Sequence, residues 1–156
     1  MKNISSESII MIKGSSETLR NGDVNYPFRQ SSNFYYFTGF EEPDCILFLS
    51  PGRKIYIREE RKYVKELIFV RPKNLQKQIW SGIRLGPEGV KVKLGIEEAL
   101  PNTDYENYLR NLLFQADTLF FEYSPITLDK PLTRDLEIIN KAKERLYNFE
   151  TASVNN

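Results

Sequence analysis

Six residues, Ser8 to Lys13 (Ser-Ile-Ile-Met-Ile-Lys), open the pattern: a short β-branched apolar run with polar ends, as in a buried strand. Gly14 to Asp23 is polar and turn-rich and reads as a surface connection. Behind Pro43 and Asp44 the run Cys45 to Leu49 is continuously apolar, which suits a central strand covered on both faces. Ser50-Pro51-Gly52-Arg53 is a turn, and Lys54 to Arg58 alternates as a half-buried strand or hairpin partner does. The charged run Glu59 to Lys65 reads as a solvated loop or helical turn. Glu66 to Val70 is a further strand, stopped by Pro72.

Helical signals dominate afterwards. Asn74 caps a helix that carries Leu75, Gln78 and Ile79 toward Trp80, and Pro87 to Leu94 is a short helix closed by Gly95. Thr103-Asp104-Tyr105-Glu106 has capping-box form. Behind it Tyr105, Tyr108, Leu109, Leu112 and Leu113 recur at helical spacing and make one apolar stripe. Thr118 to Phe121 is a strand. Pro131 opens a last helix with the face Leu132, Leu136, Ile139, Ala142 and Leu146, and the tail from Thr151 to Asn156 is expected to fray. Strands first, then strands alternating with helices, predict an α/β layered domain: a mixed sheet flanked by helices.

One stretch fits neither period. Between Tyr26 and Phe40 lie seven aromatics, interrupted by Pro27, Arg29, Gln30, Ser31, Ser32, Asn33 and Gly39. Exposed, so dense a cluster would be a sticky patch, so most of it is expected to be buried. It reads as an irregular segment pinned by rings and shaped by side-chain hydrogen bonds, with Ser32 capping a helical turn and Gly39 stopping it.

Composition narrows the chemistry. The 156 residues suffice for one domain with a real core, and the net charge of +1 offers no global field toward nucleic acid or an anionic membrane. The single Cys45 excludes a disulfide framework. No apolar run is long enough to span a bilayer, and Met1 to Ser8 is too polar for a secretory signal, so a cytoplasmic protein is expected. There is no histidine, which removes Ser-His and Cys-His nucleophile pairs and His-bearing zinc sites while leaving all-carboxylate sites open.

Three candidate sites remain. Glu41, Glu42 and Asp44 could offer carboxylates to a hard cation, yet no second acidic cluster completes a shell, and a solvated loop is the simpler account. Arg29 could fork onto a substrate carboxylate, or pair with Asp23 or Glu41 and stack on a ring. Aromatics interleaved with bases can stack single-stranded nucleic acid, but the bases here are dispersed and balanced by acids. On the residues alone, Trp80 is a core tryptophan.

A resemblance adds to this. Arg20-Asn21, then Asp23, Tyr26-Pro27-Phe28-Arg29-Gln30, Ser32, Phe34-Tyr35-Tyr36, Thr38-Gly39-Phe40 and Glu42-Pro43 resemble the signature of the N-terminal domain of Xaa-Pro aminopeptidases (aminopeptidase P, creatinase/prolidase type). A second block, Ile79-Trp80-Ser81-Gly82-Ile83-Arg84-Leu85-Gly86-Pro87-Glu88-Gly89 with Leu94-Gly95, is similar in the same order. The resemblance implies a single three-layer domain over residues 1–150, with helices on both sides of a mixed sheet. It implies no catalytic residue in this chain. The family's catalytic domain, of pita-bread fold, binds two manganese ions through two aspartates, a histidine and two glutamates, none of which can be placed here.

The implied role is non-catalytic: holding a homo-oligomer together and walling the cleft of the C-terminal catalytic domain, where proline-containing peptides are cut. Trp80 and Arg84 are implied as substrate-gate or subunit-interface residues, since the family's tryptophan in this segment can reach a neighbouring subunit's active site. With the resemblance added, that role stands beside core packing for Trp80. A different class of function stays open, a stand-alone peptide- or protein-binding module without a catalytic domain.

Overall fold

Ser8–Lys13 forms β1 because its isoleucines and Met11 have few other ways to leave water; Ile9, Met11 and Ile12 are buried. The structure is a computed structural model, and it describes residues 4–21, 24–52, 54–73, 84–122, 134–146 and 148–153. By its internal contacts the chain divides into two compact units, residues 1–11, 48–65 and 106–156 in the first, 12–47 and 66–105 in the second. The division falls inside two strands, β1 and β4 (Ile46–Leu49).

In the first unit β9 (Thr118–Phe121) is paired on both sides. Ile9 of β1 and Thr151 of β10 (Glu150–Ser153) both lie opposite Leu119, and both pairings are parallel. A hairpin of β5 (Ile55–Ile57) and β6 (Lys62–Val64) sets Tyr56 against Tyr63, with ring centroids 5.0 Å apart. Its other face buries Ile55, Ile57 and Val64. Helix α3 (Tyr105–Leu113) turns Tyr108, Leu109, Leu112 and Leu113 inward, the stripe read from the sequence. Helix α4 (Arg134–Arg145) buries Asp135, Ile138 and Ile139.

In the second unit β7 (Glu66–Val70) and β8 (Glu98–Pro101) run parallel, joined through helix α2 (Gly86–Leu94). Leu67, Ile68, Phe69 and Val70 are fully buried. Glu98 is buried too, and its carboxylate is held by Lys91 Nζ at 2.9 Å to each oxygen. A short antiparallel pair, β2 (Leu19–Asn21) and β3 (Val24–Asn25), precedes helix α1 (Ser32–Thr38).

The α/β class expected from the sequence is the observed one, with four helices among the described residues. Several local expectations differ. The charged run after Glu59 contains a strand, β6, because pairing with β5 outweighs its polar composition. The presumed surface connection contains β2. Glu150–Ser153 is strand β10, where the sequence predicts fraying from Thr151 onward, since β9 offers it a parallel edge. β8 was not expected at all. The helix expected from Asn74 to Trp80 and the opening of the last helix at Pro131 lie outside the described residues. Among the described residues no helix is long and apolar enough to cross a membrane.

Candidate functional site

The aromatic segment is shaped by one amide. Gln30 Oε1 accepts from the backbone N–H of Ser15 at 2.7 Å and of Ser31 at 3.0 Å, and its Nε2 donates to the carbonyls of Phe40 at 3.2 Å and Glu42 at 2.9 Å. All four hydrogen-bonding positions of the side chain are used, so Gln30 ties the two ends of the segment to the strand exit at Ser15. Gly14 leaves room for it, because a Cβ there would stand 2.9 Å from Gln30 Oε1.

Helix α1 then starts one residue earlier than expected. Ser31, not Ser32, is the N-cap, its side chain accepting from the Phe34 N–H at 3.5 Å. Gly39 ends the helix in the left-handed region (φ +60°), donating to the Tyr35 carbonyl at 2.7 Å. Thr38 Oγ1 closes the turn, donating to Phe34 O at 2.8 Å and accepting from Phe40 N at 3.1 Å.

This geometry divides the rings, and the expected burial of the cluster is corrected here. Phe34 and Phe40 are buried, but Tyr26, Tyr35, Tyr36 and Phe37 are exposed, Tyr36 at 84 %. A seven-residue helix can turn only one side inward, so Phe34 is buried and the next three rings face out. Tyr36 and Phe37 stack edge to face, centroids 5.4 Å apart, and the Arg20 guanidinium lies 5.8 Å from the Tyr26 ring. Arg29 is exposed and makes no ion pair with a described residue; its alternative partner Asp23 lies outside them.

The three carboxylates after the helix diverge. Glu41 is exposed, Glu42 Oε1 accepts from the Leu85 N–H at 3.1 Å, and Asp44 accepts from Arg71 Nε at 2.6 Å and from Arg71 Nη2. Arg71 Nη1 also donates to Glu17 at 2.9 Å. Burial disfavours the Arg71 charge, but the hydrogen bonds and charges of Asp44 and Glu17 prevail and hold the guanidinium above its ordinary value. Nearby, burial first and the Glu42 and Asp44 charges next push the Cys45 thiol up to about 12, so Cys45 is an inert core thiol. Among the described residues no group of three or more His, Cys, Asp or Glu is placed to hold a metal ion.

Trp80 lies outside the described residues. Arg84 is within them and mostly buried, its side chain 14 % exposed, with Nη2 3.9 Å from Glu17 Oε1. Its Nη1 and Glu42 Oε2 are buried without a hydrogen-bond partner among the described residues. The following Gly86 has φ +66°, and a Cβ there would stand 2.9 Å from Lys73 Cβ and 3.2 Å from its backbone N. Only glycine fits.

Residues 1–120 match the sequence pattern of the aminopeptidase P N-terminal domain. The chain belongs to that family. The Xaa-Pro aminopeptidase of Escherichia coli (strain K12) is 31 % identical over 132 residues, which are 81 % of this chain and 28 % of that protein. That of Haemophilus influenzae is 33 % identical over 113 residues, 72 % of this chain and 24 % of that one. The solved structure of Pseudomonas aeruginosa aminopeptidase PepP matches with a TM-score of 0.78 at 26 % identity, covering 98 % of this chain and 34 % of that chain. The chain thus spans about a third or less of the aminopeptidase P relatives it matches.

Sequence reasoning missed Gln30 as the organising residue, although it had weighed its neighbour Arg29. It also missed Arg71, whose one local signal is its place between the end of β7 and Pro72. The aminopeptidase P signature around α1 is therefore chiefly a folding device that leaves three rings outside.

Proposed function

We propose that this chain acts as the non-catalytic N-terminal domain of an Xaa-Pro aminopeptidase, holding an oligomer together and walling the cleft of a manganese-dependent catalytic domain. The observation that carries this is the outward face of α1 together with Tyr26. Four large exposed aromatics in one short segment are a contact surface waiting for protein, since isolated domains rarely leave such rings in water. Family membership supports the same reading, as does a chain that spans 28 % of its relative from Escherichia coli. A lone buried Cys45 suits a reducing compartment, and we place the protein in the cytoplasm.

In that enzyme Trp80 and Arg84 would stand at the substrate gate or subunit interface. Trp80 would supply rigid contact area and one N–H donor, while Arg84 lies 3.9 Å from Glu17. The catalytic domain would supply the metal-bound nucleophile that cuts before proline.

The test is to read the gene beyond residue 156 and assay the whole product on an Xaa-Pro peptide with Mn²⁺. An in-frame domain bearing two aspartates, a histidine and two glutamates, with Mn²⁺-dependent cleavage that falls in Trp80→Ala, is the expected result. An immediate stop codon and no catalytic partner chain would overturn the reading in favour of a stand-alone binding module.

A further inference from the structure

The first unit holds a groove that the peptidase reading does not use. It runs between α3 and α4, with a cavity of about 150 Å³. Leu113, Phe114, Ile138 and Ala142 give it an apolar floor, and Phe114 stands 67 % exposed at its mouth. A cavity of that volume with such walls is about the size of one benzene ring, so it takes a single large apolar side chain.

The rim is basic. Arg110, Arg134, Lys141 and Arg145 line the groove, against one acid, Glu137. Local acids account for two of the four: Arg110 reaches Glu106 at 3.2 Å, and Arg134 reaches Glu106 at 3.5 Å and Glu137 at 3.0 Å. Lys141 and Arg145, one turn apart on α4, make no ion pair with a described residue. Arg145 in the last turn complements the helix dipole, but two like charges at this spacing repel, and the dipole does not explain the apolar floor.

We propose that this groove binds an acidic amphipathic helix of a partner protein, its apolar face seated over Leu113 and Ile138 and its carboxylates along Lys141 and Arg145. The apolar floor decides against a small anion. Lys141 and Arg145 are only about 6 Å apart along the helix axis, but a small anion would leave the apolar floor of Leu113, Phe114, Ile138 and Ala142 uncovered. A segment lying along the groove meets the whole rim, as in helix-in-groove recognition. The proposal does not rest on the peptidase reading.

The probe is a fluorescein-labelled synthetic helix of about 14 residues, with leucine on one face and glutamate on its flanks. It is titrated with the full chain and followed by anisotropy. Saturable binding is expected, weakened by high salt because the rim charges are exposed. Lys141→Glu/Arg145→Glu should weaken it by at least about tenfold, and Phe114→Ser should weaken it too, with unchanged far-ultraviolet circular dichroism in both. No saturation at millimolar probe overturns the proposal. So does equal binding by the charge-reversed variant, or binding that is indifferent to salt. If either variant misfolds, probe-dependent amide protection is read on the parent chain: confined to 110–114 and 138–145 it supports the proposal, elsewhere it overturns it.

Discussion

Arg71 holds Asp44 through two of its nitrogens, Nε and Nη2, while the third, Nη1, is committed to Glu17 at 2.9 Å. The contact stabilises an awkward backbone. Asp44 has φ +57°, a left-handed conformation that side chains seldom adopt, and its own N–H and carbonyl are tied to Ser15 at 2.9 Å and to the Asn102 amide at 3.1 Å.

This fixes an order of stability. Asn at position 44 tolerates the left-handed region and keeps an acceptor, whereas Ala loses the acceptor and retains the strain, about 1–2 kcal/mol of it. Asp44→Asn should therefore be the milder change and Asp44→Ala the more destabilising, each read as a urea midpoint. Arg71→Lys, which replaces a fork by a point charge, should cost about 1–2 kcal/mol. Ala at position 44 as stable as Asn would show that neither the strain nor the fork matters.

Gln30 makes a sharper case, because one oxygen-for-nitrogen exchange separates it from Glu. In Gln30→Glu the group facing the Phe40 and Glu42 carbonyls can no longer donate, and two acceptors are left opposed to a third. The expected loss is about 2–4 kcal/mol at neutral pH, larger than for Gln30→Ala, where water can enter. Thermal unfolding of the two variants decides it, and an equal or smaller loss for Glu would sink the argument.

How legible this was in the sequence depends on where the determining interaction lies. β1, β7 and α3 were readable since their burial is written in their own residues, Ile9 to Ile12, Leu67 to Val70, and the Tyr108–Leu113 stripe. β8 was not, because Glu98 opens it and Pro101 closes it; Lys91, on the preceding helix, and the Ala99 N–H help make a buried glutamate tolerable. β10 is polar and exists through its pairing with β9. In the site, the family signature was readable as a string, but not which rings it buries. That follows from Gln30 and the Ser31 cap, which fix the rotation of α1 against the chain.

The buried thiol gives a pH statement with a definite sign. Cys45 is raised in the folded protein, chiefly by burial, to about 12, while an unfolded thiol ionises near 9.0. Its contribution to stability is complete below pH 9 and fades as the pH rises toward 12, since only the unfolded chain can then shed the proton. At pH 8 the native protein should react with a thiol reagent only as fast as it opens, and at once in denaturant. Stoichiometric, rapid labelling of the native chain would mean that Cys45 is accessible.

The last prediction separates the two sides of α1. Phe34 is fully buried, so Phe34→Ala should cost about 3–5 kcal/mol, the loss typical of a deleted core ring. Phe37 is 52 % exposed and Tyr36 84 %, so Phe37→Ala and Tyr36→Ser should stay within about 1 kcal/mol of the parent. If those rings are a contact surface, the same two changes should act elsewhere: less association in sedimentation for the chain, and weaker assembly and peptidase activity for the whole gene product. A helix whose inner ring governs folding and whose outer rings govern assembly gives two separable phenotypes. Should Phe37→Ala and Tyr36→Ser unfold the isolated chain as Phe34→Ala does, the rings are packed rather than presented, and the contact surface loses its support. Should they leave both folding and assembly untouched, the patch has no partner in this protein and the domain meets its neighbours through some other face.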